Sequence, residues 1–331
     1  MSNPIFIARQ DTLENDILPA HWLSQYKLFG EESYTFQDKE IWKKLCMSSA
    51  AANDRDMHAE ALEEMLTTFS AEHTGKWMLL IYGLDAAALE GLASMAAIAA
   101  NGTAMAAVAG NALLMHAIAN SETAMQAISR SQTAMQRIAN SATAMDAISG
   151  NKIARDAVQA SPYYDAKIKE NDMAIAKLVV GFANLESARY SGCAGMAADS
   201  TAMTAVAASS TAMTAVAASA TAMGKIAAVD AALSKLAAST TAMDALYARK
   251  KQMKGGSASK SGKFIILEIS QSNAFNTSKY GYATLSDGSK PDWSSYLAKY
   301  AFFQKYPKYA TYMLNDTDSD DYIYYFDIAS P

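Results

Sequence analysis

Residues Asn120-Ser121-Glu122-Thr123-Ala124-Met125-Gln126-Ala127-Ile128 decide the fold, because their pattern returns at ten-residue steps through the middle of the chain. Met95, Met105, Met115, Met125, Met135 and Met145 stand ten apart, and Ile98, Val108, Ile118, Ile128, Ile138 and Ile148 each follow by three. The same pair recurs as Met203–Val206, Met213–Val216, Met223–Ile226, Leu233–Leu236 and Met243–Leu246. Between these arrays the pattern decays but keeps phase through Val158, Ile168, Ile175 with Leu178, and Leu185. One step then shortens from ten to eight, from Leu185 to Cys193. Residues 91–248 thus hold about sixteen units. A search for internal periodicity comes before any other reading of such a chain.

One continuous helix explains this poorly. A ten-residue period averages about 3.3 residues per turn, against 3.6 in a straight helix and 3.5 in a coiled coil, so the apolar stripe would wind around the rod. Capping residues favour a broken helix instead. Four positions before each Met-equivalent stand Asn101, Asn111, Ser121, Ser131, Ser141, Asn151, Ser161, Asn171, Asp199, Ser209, Ser219 and Ser239. These are the residue types whose side-chain oxygens accept from unpaired N–H groups of a first helical turn. Gly110, Asn120, Asn140 and Gly150 precede caps and suit a left-handed helix end. Pro162, directly after Ser161, suits a first helical position.

Each unit is therefore expected to be a helix of about eight residues followed by a turn of one or two. Helices this short are unstable alone and persist only by burying a face against neighbours. The expected packing residues are Met105, Val108, Met125, Ile128, Met135, Ile138, Met145, Ile148, Met203, Val206, Met213 and Val216. The variable position after Met (His116, Gln126, Gln136, Asp146) falls on the solvent side. The predicted fold class is mainly α, a solenoid or superhelix of two-turn helices with a small C-terminal α+β domain, held together by nearest neighbours. The step from Leu185 to Cys193 is where the rod is expected to bend or change its packing.

Runs such as 120–128 and Ser209-Ser210-Thr211-Ala212-Met213-Thr214-Ala215-Val216-Ala217 resemble the Thr-Ala-Met decapeptide repeats of tail-fibre, head-fibre and related virion appendage proteins of tailed bacteriophages. The resemblance covers roughly residues 91–248. It implies a virion fibre subunit, homotrimeric, with a virion-anchoring end and an exposed end. Units between 151 and 195 depart from the pattern.

The flanks read differently. Residues 1–90 carry no repeat and are expected to cap the array or attach it to another virion protein. Within them Asp54–Phe69 reads as an amphipathic helix, Lys76–Leu84 as a strand or the entry to the array, and Trp22–Trp42 as an aromatic docking or nucleating stretch. Residues 249–262 read as a linker, with Gly255-Gly256-Ser257-Ala258-Ser259-Lys260-Ser261-Gly262 flexible by composition. They are no phosphate loop: the glycine spacing is off by one, Phe264 stands where Ser or Thr is needed, and a helix precedes them. In 263–331, strands are expected at Phe264–Ile269, Tyr280–Leu285 and Tyr322–Phe326, and a helix across Trp293–Tyr312. This segment holds ten of the 17 tyrosines. A tyrosine offers a rigid apolar face and a hydroxyl, which suits sugar stacking and protein interfaces, although most such rings fill a core. Tyr280, Tyr282, Trp293, Tyr322 and Tyr324 are the candidate recognition residues.

Composition narrows function further. A net charge of −5 and pI near 5.5 argue against a nucleic-acid partner. The one basic cluster, Arg249, Lys250, Lys251 and Lys254, is placed at a helix end, where it complements the dipole. No run long enough to span a bilayer exists, and Met1–Phe6 lacks the pattern of a signal peptide. Cys46 and Cys193 are expected as buried free thiols. His21, His58, His73 and His116 have no metal-ligand spacing, and Asp316, Asp318, Asp320 and Asp321 lack the glycine and distal Glu of a calcium loop. The expectation is a non-enzymatic virion subunit without a cofactor. It would bind other virion proteins through 1–90 and a host-surface glycan or protein through 263–331. A monomeric cellular scaffold, an internal virion joint and a polysaccharide depolymerase are the alternatives. Exposed Met and Ala would favour an oligomer; a polar exterior would favour a monomer.

Overall fold

A computed structural model of the chain describes residues 92, 95–270, 281–293, 297–316 and 321–331. The readings of 1–90, including Trp22–Trp42, Asp54–Phe69 and Lys76–Leu84, lie outside the described residues, as do Cys46, His21, His58 and His73. The protein is mainly helical with a C-terminal antiparallel sheet. It divides into two compact units, Met1–Ile168 and Lys169–Pro331.

In the first unit the helices are α1 (Met95–Ala100), α2 (Gly102–Gly110), α3 (Ala112–Asn120), α4 (Glu122–Ser129), α5 (Gln132–Ala139), α6 (Ala142–Gly150), α7 (Lys152–Gln159) and α8 (Tyr164–Lys167). Their caps explain the breaks. The side chains of Asn101, Asn111, Ser121, Ser131, Ser141 and Asn151 each accept from a first-turn N–H. Asn111 sits in extended backbone (φ −98°, ψ 110°), ends α2 through its own N–H to Val108 O, and opens α3. One residue thus serves as C-cap and N-cap together. That is why the left-handed ends expected at Gly110, Asn120 and Gly150 are absent; Asn140, itself the C-cap of α5 at φ −96°, lacks one too, and none of the four has a positive φ. Asn120 instead donates to His116 O at 2.9 Å and accepts from Asn151 Nδ2 at 2.5 Å. Pro162 also departs from expectation. Tyr164 N bonds Ser161 O at 3.0 Å in a turn, and α8 starts only at Tyr164.

Side-by-side packing skips two neighbours. α1 packs against α4, α2 against α5, α3 against α6, α4 against α7 and α5 against α8. Serine caps add ties between helices four apart. Ser131 Oγ donates to Ala99 O at 2.7 Å, Ser141 Oγ to Ala109 O at 2.5 Å and Ser161 Oγ to Ser129 O at 2.5 Å, each across 32 residues. A cap hydroxyl therefore accepts within its own helix and donates to an earlier one.

The second unit opens with α9 (Asp172–Phe182) and a short 3₁₀ turn, Ser187–Arg189. It continues with α10 (Cys193–Ala198), α11 (Ser200–Ala208), α12 (Ser210–Ala218), α13 (Ala220–Ala227), α14 (Asp230–Ala237) and α15 (Thr240–Tyr247). Pairs again lie three apart: α9 with α12, α10 with α13, α11 with α14 and α12 with α15. Here the shortened step has a visible cause. α9 runs eleven residues and ends at Asn184 (φ 57°), with Asn184 N bonded to Gly181 O and Leu185 N to Val180 O. This is the left-handed helix end that the regular units lack. The ties change with it. Ser239 Oγ still reaches Ala207 O across 32 residues, but Ser209 Oγ reaches Phe182 O across 27 and Ser219 Oγ reaches Lys169 O across 50. The Glu170 carboxylate also accepts from the N–H groups of Ala220 and Thr221, giving α13 a second cap.

The sheet has the order β1-β6-β2-β5-β3-β4, where β1 is Lys251–Lys254, β2 Ala258–Ser270, β3 Gly281–Leu285, β4 Asp292–Trp293, β5 Ala310–Asn315 and β6 Tyr322–Asp327. Residues 249–262 are thus β1, a turn and the start of β2 rather than a flexible linker. Gly256 (φ 87°) and Ser257 (φ 66°) make the turn, and Gly255 N donates to Asp321 O. β2 pairs with β5 through Ala258–Ser261 and with β6 through Phe264–Ser270, changing register at Gly262. A Cβ there would lie 2.3 Å from the Phe264 ring. The helix expected across 293–312 shrinks to α16 (Ala301–Lys305). Leu297 exchanges backbone bonds with Ile269, and Tyr300, at φ 74°, donates its N–H to Leu267 O. Those backbone groups serve the sheet and are lost to a helix. The sheet core gathers Met253, Phe264, Ile266, Ile269, Trp293, Phe302, Met313, Ile323 and Tyr325.

Candidate functional site

The helices present a uniform arrangement. Met105, Val108, Met125, Ile128, Met135, Ile138, Met145, Ile148, Met203, Val206, Met213 and Val216 are all fully buried, and the burial arises within a single chain. In α2 the buried set is Ala104, Met105, Val108 and Ala109, one stripe of a two-turn helix, and α5 and α11 repeat it. Alanine beside the Met lets backbones approach closely. On the other side, Gln126 is exposed, and His116, Gln136 and Asp146 are half-buried. Ile153 is the one exposed large apolar side chain among the described residues. Cys193 is a buried free thiol. Burial, followed by the nearby Asp172 carboxylate, pushes its pKa up, which leaves it unreactive.

The last helix meets the sheet through a cluster of tyrosines and charges. The Tyr247 hydroxyl, at the end of α15, donates to Glu268 Oε2 on β2 at 2.5 Å. Its ring lies edge-on to Tyr300 at 5.8 Å and tilted to Tyr324 at 6.3 Å. Lys250 and Lys299 sit over the same ring at 4.1 and 4.4 Å. The Asp244 carboxylate accepts from the Tyr300 hydroxyl and from Lys299 Nζ at 3.1 Å. These two donors, the hydroxyl first, hold Asp244 below the usual carboxylate range. Burial, then the hydrogen bond to Glu268, pushes the Tyr247 phenol up. A further pair joins Lys308 to Asp230 at 2.6 Å. Of the basic cluster, Lys250 stacks beside the helix end, whereas Lys251 lies in β1 and donates to Asp327 and Ser330 O. Every charged group in this cluster is engaged with a neighbour, so its chemistry is that of a joint between α15 and the sheet.

The five candidate recognition residues separate. Trp293 is buried, its ring over Gly281 and edge-on to Phe302 at 5.7 Å, so it belongs to the core and not to a binding face. Tyr322 and Tyr324 are half-buried and stacked at 6.3 Å, and Tyr324 is drawn into the joint by Tyr247 and Lys250. Tyr282 is half-buried on β3, and Tyr280 lies outside the described residues. Tyr282 pairs with Tyr312, rings 5.7 Å apart and tilted by 38°. Tyr312 was missed because 293–312 reads as helical; the alternation of Tyr312 and Leu314 around the buried Met313 is the strand signal.

Among the described residues no group of His, Cys, Asp and Glu could hold a metal ion, and no single helix is long and apolar enough to cross a membrane. Asp316 takes a hydrogen bond from Ser257 and Asp321 is buried; Asp318 and Asp320 lie outside the described residues. The chain matches no protein-family description and no curated protein.

Proposed function

We propose that the chain is a non-enzymatic spacer of a tailed-phage virion appendage, in which ten-residue units wind into a superhelix with three short helices per turn. The observation that carries this reading is the set of serine caps that donate to carbonyls 32 residues back, a little over three units. α12 leaves α11 at 101°. Three such steps nearly complete a circuit, so the fourth helix returns beside the first. Cohesion is then local and repeated, as in other quasi-one-dimensional arrays. Each fully buried Met, Ile or Val contributes about 1.5–3 kcal/mol, which offsets the instability of a lone two-turn helix.

The resemblance implies a homotrimer. The burial of the Met, Ile and Val faces within one chain supports an array that is self-contained in its apolar packing, and exposed alanines such as Ala106, Ala112, Ala142 and Ala208 are the surface on which a homotrimer would associate. The sheet, fastened to α15 by the tyrosine joint, is proposed as the recognition domain, with the host surface as its target. A monomeric cellular scaffold is the second reading, favoured by the burial of the apolar faces within one chain. Gold-labelled antibody against the purified chain separates the two. Labelling of an appendage on intact tailed-phage particles is expected. Particles free of the chain, with the protein retained in cells, would refute the virion reading.

A further inference from the structure

One face of the sheet is built unlike the rest. Along β2, β5 and β3, Ser259 stands opposite Leu314 and Leu314 opposite Tyr282; one step on, Ser261 stands opposite Tyr312 and Tyr312 opposite Thr284. Residues two apart on a strand share a face, so these six side chains form two parallel rows. The rows span about 10 Å across the strands and about 7 Å along them. The opposite face at the same strands carries the buried Ala283 and Met313. Ser259 and Ser261 are exposed, while Tyr282, Thr284, Tyr312 and Leu314 are half-buried.

The chemistry of the six is selective. None is charged, although Lys260, Lys263 and Lys308 lie close in sequence. Five carry hydroxyls, and none of those hydroxyls is engaged in a hydrogen bond among the described residues, in contrast to Tyr247 and Tyr300 at the joint. The two tyrosine rings supply apolar surface. None of the six side chains offers a cation to a phosphate or an anionic polysaccharide, and an amphipathic helix would find one leucine.

The geometry points to this face as a platform for a neutral glycan: sugar rings lie on Tyr282 and Tyr312, and Ser259, Ser261 and Thr284 exchange hydrogen bonds with the sugar hydroxyls. This inference rests on reading the sheet as the recognition domain and adds the face and the ligand class. Its charge balance is the argument for the occupant, since an uncharged, hydroxyl-lined surface complements an uncharged polyol.

The test is titration calorimetry of the full chain with three neutral hexasaccharides (β-1,4-linked glucose, α-1,4-linked glucose, β-1,4-linked N-acetylglucosamine) and a heparin hexasaccharide as the anionic probe. At least one neutral probe is expected to bind. Tyr312→Ala should weaken it by about tenfold, the scale of one lost aromatic contact. Ser261→Glu, at an exposed position with no fold to disturb, should weaken it as well. No neutral binding, unchanged affinity in folded variants, or binding of the anionic probe alone would overturn the platform. Those results leave the spacer reading standing, because antibody labelling of particles tests it separately.

Discussion

Ser141 offers the sharpest perturbation of the array. Its Oγ accepts from Ala144 N at 3.2 Å, capping α6, and donates to Ala109 O at 2.5 Å, tying α6 to α2. Replacing a cap serine by alanine costs about 1 kcal/mol. The tie adds about 1 kcal/mol, because Ala109 is almost fully buried and its carbonyl has little access to water. Ser141→Ala should therefore destabilise the first unit by about 2 kcal/mol, the sum of these two losses. Ser141→Asp keeps a good cap acceptor but cannot donate at neutral pH, and it sets a carboxylate against a carbonyl. It should lose about 1 kcal/mol or more. Ser141→Thr keeps both roles and should stay close to the parent. Urea unfolding followed by circular dichroism reads the series. With a slope of about 2 kcal/mol per molar, the alanine variant's midpoint falls by about 1 M. An aspartate variant as stable as the parent would show that the tie contributes nothing, and the layer argument would fail with it.

Met135→Asp should unfold α5 and the helices packed on it, because it places an unpaired carboxylate at a fully buried position; loss of helical signal around 222 nm measures this, and an unchanged spectrum would mean the buried face is misassigned. The joint between α15 and the sheet should loosen in acid. Asp244 is held below its unfolded value of about 3.9, so its contribution is present above that pH and is lost as pH falls through the folded value. Near-UV dichroism of the tyrosines should show this acid limb, and Asp244→Asn should flatten it. The same signal should fall in alkali. Tyr247 is pushed above its unfolded value of about 10, so its contribution holds below that pH and fades as pH rises toward the folded value. Tyr247→Phe should remove this limb; an alkaline limb that survives would assign it to another phenol.

Much of the helical part was legible because its signals are local. A cap is a matter of one side chain and the next three N–H groups, and Asn101, Ser131, Ser209 and Ser239 all sit where four-before-Met places them. What the spacing did not carry was the tie from α6 back to α2, since nothing in a serine announces that its proton goes to a carbonyl 32 residues back. The left-handed ends failed for a related reason: a single extended residue closes one helix and opens the next, so Gly110 and Gly150 had no turn to make. Asn184 makes one because α9 overruns its unit. In the sheet, composition misled twice. Gly256 and Ser257 read as flexible and form an ordered turn, while Trp293–Tyr312 reads as a helix. There the backbone of Leu297 and Tyr300 is claimed by β2, which is distant in sequence. Trp293 looked like a recognition residue because an aromatic near a turn gives no hint that a glycine on the next strand leaves space for its ring.

The central claim is that each ten-residue unit packs on the third unit along the same chain. Spin labels at Ala106→Cys in α2 and Gln136→Cys in α5, with Cys46 and Cys193 replaced, test it by pulsed dipolar spectroscopy. Packed helix axes lie about 8–10 Å apart, so a short inter-label distance is predicted, and it should survive dilution with unlabelled chain. A distance near 45 Å, the length of thirty residues of continuous helix, would contradict the account. So would a short distance that vanishes on dilution, since the contact would then lie between chains.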